Sequence, residues 1–201
     1  MTLKVMVDLE TMSTSSTAAI TQIGACASDG RAPFKATVNL QSSVDAGLKL
    51  DLSTIEWWMQ QSDGARASVF SGARICLDEA LVGFADWLYG STTQFMQGAK
   101  PIECELWAYP AQFDVTILDS AYRACKLEIP WHYRAPRCMR TLASLYPDVA
   151  RVKAELEHDA LSDAQAQMTW LELMLAEHAK RAEPAIRTDS PCTAPVVIAR
   201  F

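Results

Sequence analysis

Residues 3–11 read LKVMVDLET, an apolar run that turns acidic at Asp8 and Glu10. β-Branched and apolar residues from 3 to 9 suit a buried strand. Successive side chains of a strand point to opposite faces, so Asp8 and Glu10 share one face while Val5, Val7 and Leu9 share the other. Acids are depleted from strands, and two on one face of a central strand repel each other. Alone, such a pair marks a solvent-facing strand or a strand end more often than a site. It needs company to mean something.

Outward from this strand, residues 18–27 (AAITQIGACA) and 34–40 read as two more, with Asp29-Gly30 as the turn between them, which makes a three-stranded meander. From Leu52 the pattern is helical, with Ser53 as N-cap and Glu56 completing a capping box. A second helix fits residues 77–89 and ends at Gly90. A short strand at 105–109 (ELWAY) leads into a helix at 111–126. After a Pro-containing connection (129–136), a short helix fits 139–145 and a long one 160–181. The assembly these elements predict is one α/β domain with a mixed β-sheet flanked by α-helices. It occupies residues 1–183, followed by an extended tail, 184–201, carrying Pro184, Pro191 and Pro195.

The chain has 201 residues, half of them hydrophobic and a fifth charged; this is ordinary globular composition, enough for one sizeable core. Six cysteines stand no closer than thirteen residues apart, so no paired spacing for zinc or thiol redox chemistry exists. The N-terminus lacks an apolar signal core and no run approaches membrane-spanning length. The expectation is a reduced, cytoplasmic protein without a membrane partner. Its net charge of −6 argues against wrapping a duplex, because phosphate neutralisation drives that binding. Contact with nucleic acid would be local, at a strand end, with metal ions supplying the positive charge.

Asp114 is the first companion of the acidic pair. On a helical wheel it lies within about 40° of Leu118, Ala121 and Cys125, the apolar stripe of its own helix. Asp119, about 140° away, reads as a solvated surface acid. Asp163 repeats the anomaly, aligning within about 20° with Trp170 and Met174. A carboxylate on a buried face is costly unless paired, protonated or bound to metal. Helix capping explains either acid alone, since a first-turn carboxylate gains from the helix dipole. Four misplaced acids on three elements are harder to explain that way.

If the four converge within about 5 Å, each like-charge pair costs on the order of 3 kcal/mol at an effective dielectric near 20. Divalent cations quench that repulsion at neutral pH. An all-oxygen donor set suits magnesium or manganese rather than zinc. Two such ions about 4 Å apart clamp the attacking and leaving oxygens of a phosphodiester. His158, five residues before Asp163, is placed to act as general base, an effect typically worth about 10²- to 10⁴-fold. His132 and His178 read as surface residues.

These residues resemble a known family. Asp8-x-Glu10-Thr11 on a first strand, Phe113-Asp114 at a helix start and His158-x-Ala160-x-x-Asp163 are similar to the three motifs of the DEDDh 3′-5′ exonucleases. Within that superfamily the chain resembles a branch containing phage exonuclease A, the nuclease domain of exonuclease VIII and a mycobacterial-type exoribonuclease. The resemblance is carried by residues 50–70 (LDLSTIEWWMQQSDGARASVF), 113–118 (FDVTIL) and 137–142 (RCMRTL). It covers about residues 3–180. Two departures are Cys138, where the branch tends to have an acid, and residues 107–112 (WAYPAQ), which replace a Gly-Asn-rich approach to the second motif.

The resemblance implies a ribonuclease-H-like fold and release of nucleoside monophosphates from 3′ ends. It implies that Asp8, Glu10, Asp114 and Asp163 hold two ions, with His158 activating water. It further implies that Thr11 and the Met12 side chain meet the terminal nucleotide, that Trp57 or Trp58 stacks on a base, and that Arg137 or Arg140 holds a phosphate. Adjacent tryptophans on a helix are not expected both to face a site, so core packing competes for them. Single-stranded 3′ ends or short oligonucleotides are the expected partners. A homodimer and the choice of RNA or DNA are both left open, the latter because no motif specifies contact with a 2′-hydroxyl. Two rivals are a non-catalytic binding module on the same fold and a small-phosphoester hydrolase.

Overall fold

A computed structural model describes residues 2–90 and 100–182. In it the alternation of residues 3–11 becomes β1 (Leu3–Thr11), the central strand of a five-stranded sheet. β2 (Ile20–Ala27) and β3 (Phe34–Thr37) extend it antiparallel on one side. β4 (Cys104–Ala108) and β5 (Pro136–Cys138) extend it parallel on the other, giving the order β3-β2-β1-β4-β5. This is the mixed sheet expected from the sequence.

The two faces of β1 enter different cores. Val5, Val7 and Leu9 join a cluster with Leu81, Phe84 and Leu88 of the helix Leu77–Tyr89 (α4) and Ile117, Leu118 and Ala121 of Ala111–Ala124 (α5). Met6 packs on the opposite face with Met168, Leu171 and Met174 of the helix Ala160–Ala182 (α7) and Met139 of Met139–Leu145 (α6). Asp8 and Glu10 follow Met6 at two-residue steps, so they lie on the α7 side of the sheet. Where β2 passes beneath α7, a Cβ on Gly24 would stand 2.2 Å from the Ala160 carbonyl carbon. Only glycine lets the helix settle there. Gln22 fastens the same contact, accepting the Ala160 N–H at 2.9 Å and donating to the Ser68 carbonyl at 3.0 Å.

Several expectations are corrected. The run at 34–40 is strand only to Thr37; Asn39 then accepts the Gln41 N–H and caps a helix, α1 (Leu40–Asp45). The helical stretch after Leu52 is two helices, α2 (Leu52–Met59) and α3 (Asp63–Phe70), because Ser62 caps a new start by accepting the Ala65 N–H at 3.2 Å. Asp51, not Ser53, is the N-cap of α2, accepting the Ser53 N–H at 3.1 Å, so Glu56 lies too far along to close a capping box. β5 was absent from the sequence reading; its Pro136 is tolerated as the first residue of an edge strand. Asp119 is not a solvated acid, since its Oδ1 is buried without a hydrogen-bond partner.

The five cysteines among the described residues are free. No helix among those residues is long and apolar enough to cross a membrane. The expected tail at 184–201 lies outside the described residues.

Candidate active site

The sheet delivers its acids where β1 outruns β4. The parallel register between them stops at Met6 and Trp107, leaving the Leu9 N–H beyond the ladder. Asp114, in the first turn of α5, takes it: its Oδ1 accepts that N–H at 3.2 Å. This bond explains why an acid sits on the apolar stripe of α5, with only 2 % of its surface exposed. It also locks the second motif to the first.

Asp163 occupies the first turn of α7, and its Oδ2 accepts the His158 N–H at 2.8 Å. Asp8, Glu10 and Asp163 each bring a carboxylate oxygen within 4.8 Å of the others. The four acids of the sequence reading are thus held at one end of β1 by three elements. At such separations each like-charge pair costs on the order of 3 kcal/mol at an effective dielectric near 20.

Their proton affinities record this crowding. Burial, then the charges of Asp114, Glu10 and Asp163, raise Asp8 well above the ordinary carboxylate range, with a bond from Gln167 working the other way. Burial, followed by Asp163, Asp114 and Asp159, does the same to Glu10. Burial pushes Asp114 up to about 7 despite the Leu9 N–H and the nearby Arg140. Asp163 is raised by burial, partly offset by the His158 N–H and by Arg151. A cluster of proton-hungry oxygens with no cation salt-bridged to it among the described residues suits a hard divalent ion. An acceptor beside it is also unsatisfied: Gln167 donates from Nε2 to Asp8 Oδ1 at 2.7 Å, while its buried Oε1 has no partner. The residues present therefore fit a divalent-metal site.

His158 adopts φ +63°, a left-handed conformation. Its ring meets Trp57 edge-on at 4.9 Å between centroids and Trp58 at 6.0 Å. The approach to α7 is thus held by α2. Asp159 anchors it from the other side, hydrogen-bonded by Lys35, Ser68 and the Ser162 N–H.

A cavity of about 410 Å³ opens beside the acids, walled by Glu10, Thr11, Trp57, Trp58 and Phe113. Both tryptophans reach it, against the expectation for adjacent helix positions. Trp58, 2 % exposed, donates its indole N–H to the Thr11 carbonyl at 2.9 Å, whereas Trp57 is 42 % exposed. Trp58 is therefore the wall and Trp57 the more exposed ring. A second cavity, about 310 Å³, is lined by His158 and Asp163 together with Arg151, Lys153 and Gln167.

Two expectations about substrate contacts do not fit this geometry. The Met12 side chain is 1 % exposed and packs in the main core, away from any open surface. Arg137 gives its guanidinium to the carbonyls of Arg134, Ala135 and Pro136 and lines a cavity with Cys104, at the opposite end of the sheet from the acids. Spacing from a motif fixes neither the face on which Met12 falls nor the edge strand that carries Arg137 away.

Two partners were missed. Gln167 was legible as a polar residue one helical turn after Asp163 on the same face. Asp159 gave a weaker signal, a second acid between His158 and the helix.

Against models of protein families, residues 3–175 match one described as the Rv2179c-like 3′-5′ exoribonuclease domain. Among solved structures, cell-death related nuclease 4 (CRN-4) is similar at TM-score 0.50 and 14% identity, over 87% of this chain and 64% of that one. The chain thus spans less than two thirds of that protein. The nuclease domain of 3′hExo, a DEDDh family member bound to rAMP, is similar at TM-score 0.51 and 14% identity, over 87% of this chain and 92% of that one. At such identity the likeness is one of fold: the mixed five-stranded sheet and its flanking helices are arranged as in these two nucleases. No curated protein matches the sequence.

Proposed function

The chain belongs to the Rv2179c-like 3′-5′ exoribonuclease domain family, and from that premise we propose that it is a two-metal DEDDh exonuclease, of the branch shared with phage exonuclease A and exonuclease VIII, acting on single-stranded or short nucleic acid. The observation that carries the reading is the cluster of Asp8, Glu10 and Asp163 oxygens within 4.8 Å, with Asp114 behind it, opening into a cavity walled by tryptophan.

The roles follow from position. Asp8, Glu10, Asp114 and Asp163 hold two magnesium or manganese ions, with Gln167 orienting Asp8. When bound, the ions neutralise phosphate charge and stabilise the attacking and leaving oxygens. The terminal nucleoside enters the cavity between Thr11 and Trp57, where an exposed indole gives the base a stacking surface. His158 takes a proton from the water that attacks the terminal phosphorus. The bond from phosphorus to the 3′ oxygen of the preceding nucleotide breaks, that oxygen takes a proton from solvent, and a nucleoside 5′-monophosphate and a strand one nucleotide shorter, ending in a 3′-hydroxyl, are released. Trp57 holds the His158 ring edge-on at 4.9 Å, limiting the orientations it samples.

An excess of six negative charges favours strand ends over duplex tracts, since non-specific grip on a duplex needs a broad basic surface. We also propose that the domain spans residues 1–183 and acts inside the cytoplasm.

The test is turnover of matched 5′-labelled single-stranded RNA and DNA with magnesium, manganese or EDTA, beside Asp163→Asn. A metal-dependent ladder from the 3′ end that disappears in the variant supports the reading, and the faster polymer sets the preference. Turnover of dinucleotides alone would assign a small-phosphoester hydrolase, and binding without cleavage an adaptor.

A further inference from the structure

Outside the acids and the tryptophan cavity stand two arginines: Arg140, for which the family resemblance implied a phosphate contact, and Arg151, for which it implied none. Arg140 of α6 lies with its guanidinium carbon 5.1 Å from the centre of the Tyr109 ring, and Arg151, from the connection before α7, lies 5.5 Å from the same ring. Tyr109 is braced from below by Trp170 of α7, ring centres 5.6 Å apart. Both arginines are exposed, and neither forms an ion pair with a carboxylate among the described residues, although the acid cluster is close by. Arg151 lines the cavity that holds His158 and Asp163. Two guanidiniums gathered on one aromatic ring repel each other, and each keeps donors free in the fork geometry that fits phosphate.

We propose that Arg140, Tyr109 and Arg151 form a platform for the strand upstream of the scissile bond, the two arginines gripping successive backbone phosphates while the 3′-terminal nucleotide sits in the cavity beyond the acids. Glu10 lines the Trp57 cavity and Asp163 the Arg151 cavity, and these two carboxylates bring oxygens within 4.8 Å of each other. A strand with its end in the first cavity crosses the acids to reach the second. Oxygen cages repel a polyanion wherever ions do not cover them, so cations are needed where the strand departs. Tyr109 fixes both guanidiniums there and offers its ring edge to a passing base. The platform discriminates by length, because a dinucleotide has no phosphate beyond the scissile one.

This inference rests on the exonuclease reading and is tested apart from it. Anisotropy of a 5′-labelled ten-nucleotide single strand would be followed against salt in magnesium, using the full chain carrying His158→Asn to slow turnover, with and without Arg140→Met/Arg151→Met. Each phosphate contact to a single strand contributes about 0.7 to the slope of log affinity against log salt, so losing two lowers it by about 1.4. The expected result is that drop and a loss of about tenfold or more in affinity, with dinucleotide binding shifted far less and the melting temperature kept. Arg140→Lys/Arg151→Lys restores most of the slope, since charge is retained. An unchanged slope, or equal losses for both lengths, overturns the platform while leaving the nuclease standing. A parent protein that binds neither ligand and cleaves neither removes both.

Discussion

Asp8 is in conflict with its surroundings. Its carboxylate is squeezed by three other acids, yet it accepts the Gln167 amide at 2.7 Å. Asp8→Asn removes the charge and keeps the acceptor for Gln167, so in metal-free buffer the variant should melt higher than the parent. Relief of about 1 to 2 kcal/mol from like-charge repulsion corresponds to a rise of roughly 2–8 °C for a domain of this size. Turnover should fall by about 10³-fold or more, since ion-borne transition-state stabilisation is worth several kcal/mol. A metal-free melting temperature lowered by the substitution would argue against a metal cage. His158 invites a different substitution. At φ +63° alanine adds backbone strain, whereas asparagine accepts the left-handed region. His158→Asn should cut kcat by about 10²- to 10⁴-fold while magnesium affinity, measured by calorimetry, moves less than about threefold. Equal loss of both would make the histidine a ligand or a brace. Asp114 and Asp163 stood out in the sequence because a polar residue on an apolar stripe violates the pattern that buries it, whereas His158 stood out only through its spacing from Asp163 in a motif that resembles the family's. Met12 shows the converse: a methionine obeying the pattern carries no mark of whether it faces substrate or core.

At the scale of elements, the site depends on how closely α7 can approach β2. Gly24 leaves no room for a Cβ, and Gln22 ties the first amide of the helix to the strand. Gly24→Ala must push the N-terminus of α7 away, carrying Asp163 and His158 with it. Overpacking against backbone costs typically about 1–3 kcal/mol, so the melting temperature should drop by roughly 2–12 °C, with turnover lost more steeply than stability. Stability lost with activity per folded molecule intact would show that the approach matters only to folding. Helices with strong punctuation were readable from sequence: α4 ends where Gly90 turns left-handed at φ 72°, and α6 spans the predicted residues. α1 and α3 were not, being six and eight residues long, too short to show a helical period. β5, at three residues beginning with Pro136, exists only because β4 offers it an edge. Such elements are set by tertiary neighbours, and a window of sequence does not contain those neighbours.

For the molecule as a whole, the buried acids set the sign of the pH dependence. Burial raises Asp114 to about 7, from an ordinary value of 3.8, and lifts Asp8, Glu10 and Asp163 in the same direction. Between the unfolded and folded values the native chain binds more protons than the unfolded one, so stability falls as pH rises. Asp159 works oppositely. Burial raises it, but bonds from Lys35, Ser68 and the Ser162 N–H outweigh that and leave it low, so its contribution is lost only on the acid side of the range. In EDTA the melting temperature should therefore decline from about pH 6 to about pH 8. Divalent ions compete for the same deprotonated oxygens, so the stabilisation they give by mass action grows over that interval. Two of them would offset four of the six excess negative charges at the point where the acids repel one another. In millimolar magnesium the decline should flatten or reverse, and the gap between the two curves should widen with pH. Parallel curves in EDTA and magnesium would mean that protons and cations do not share these carboxylates, and the two-metal reading would fall with that result.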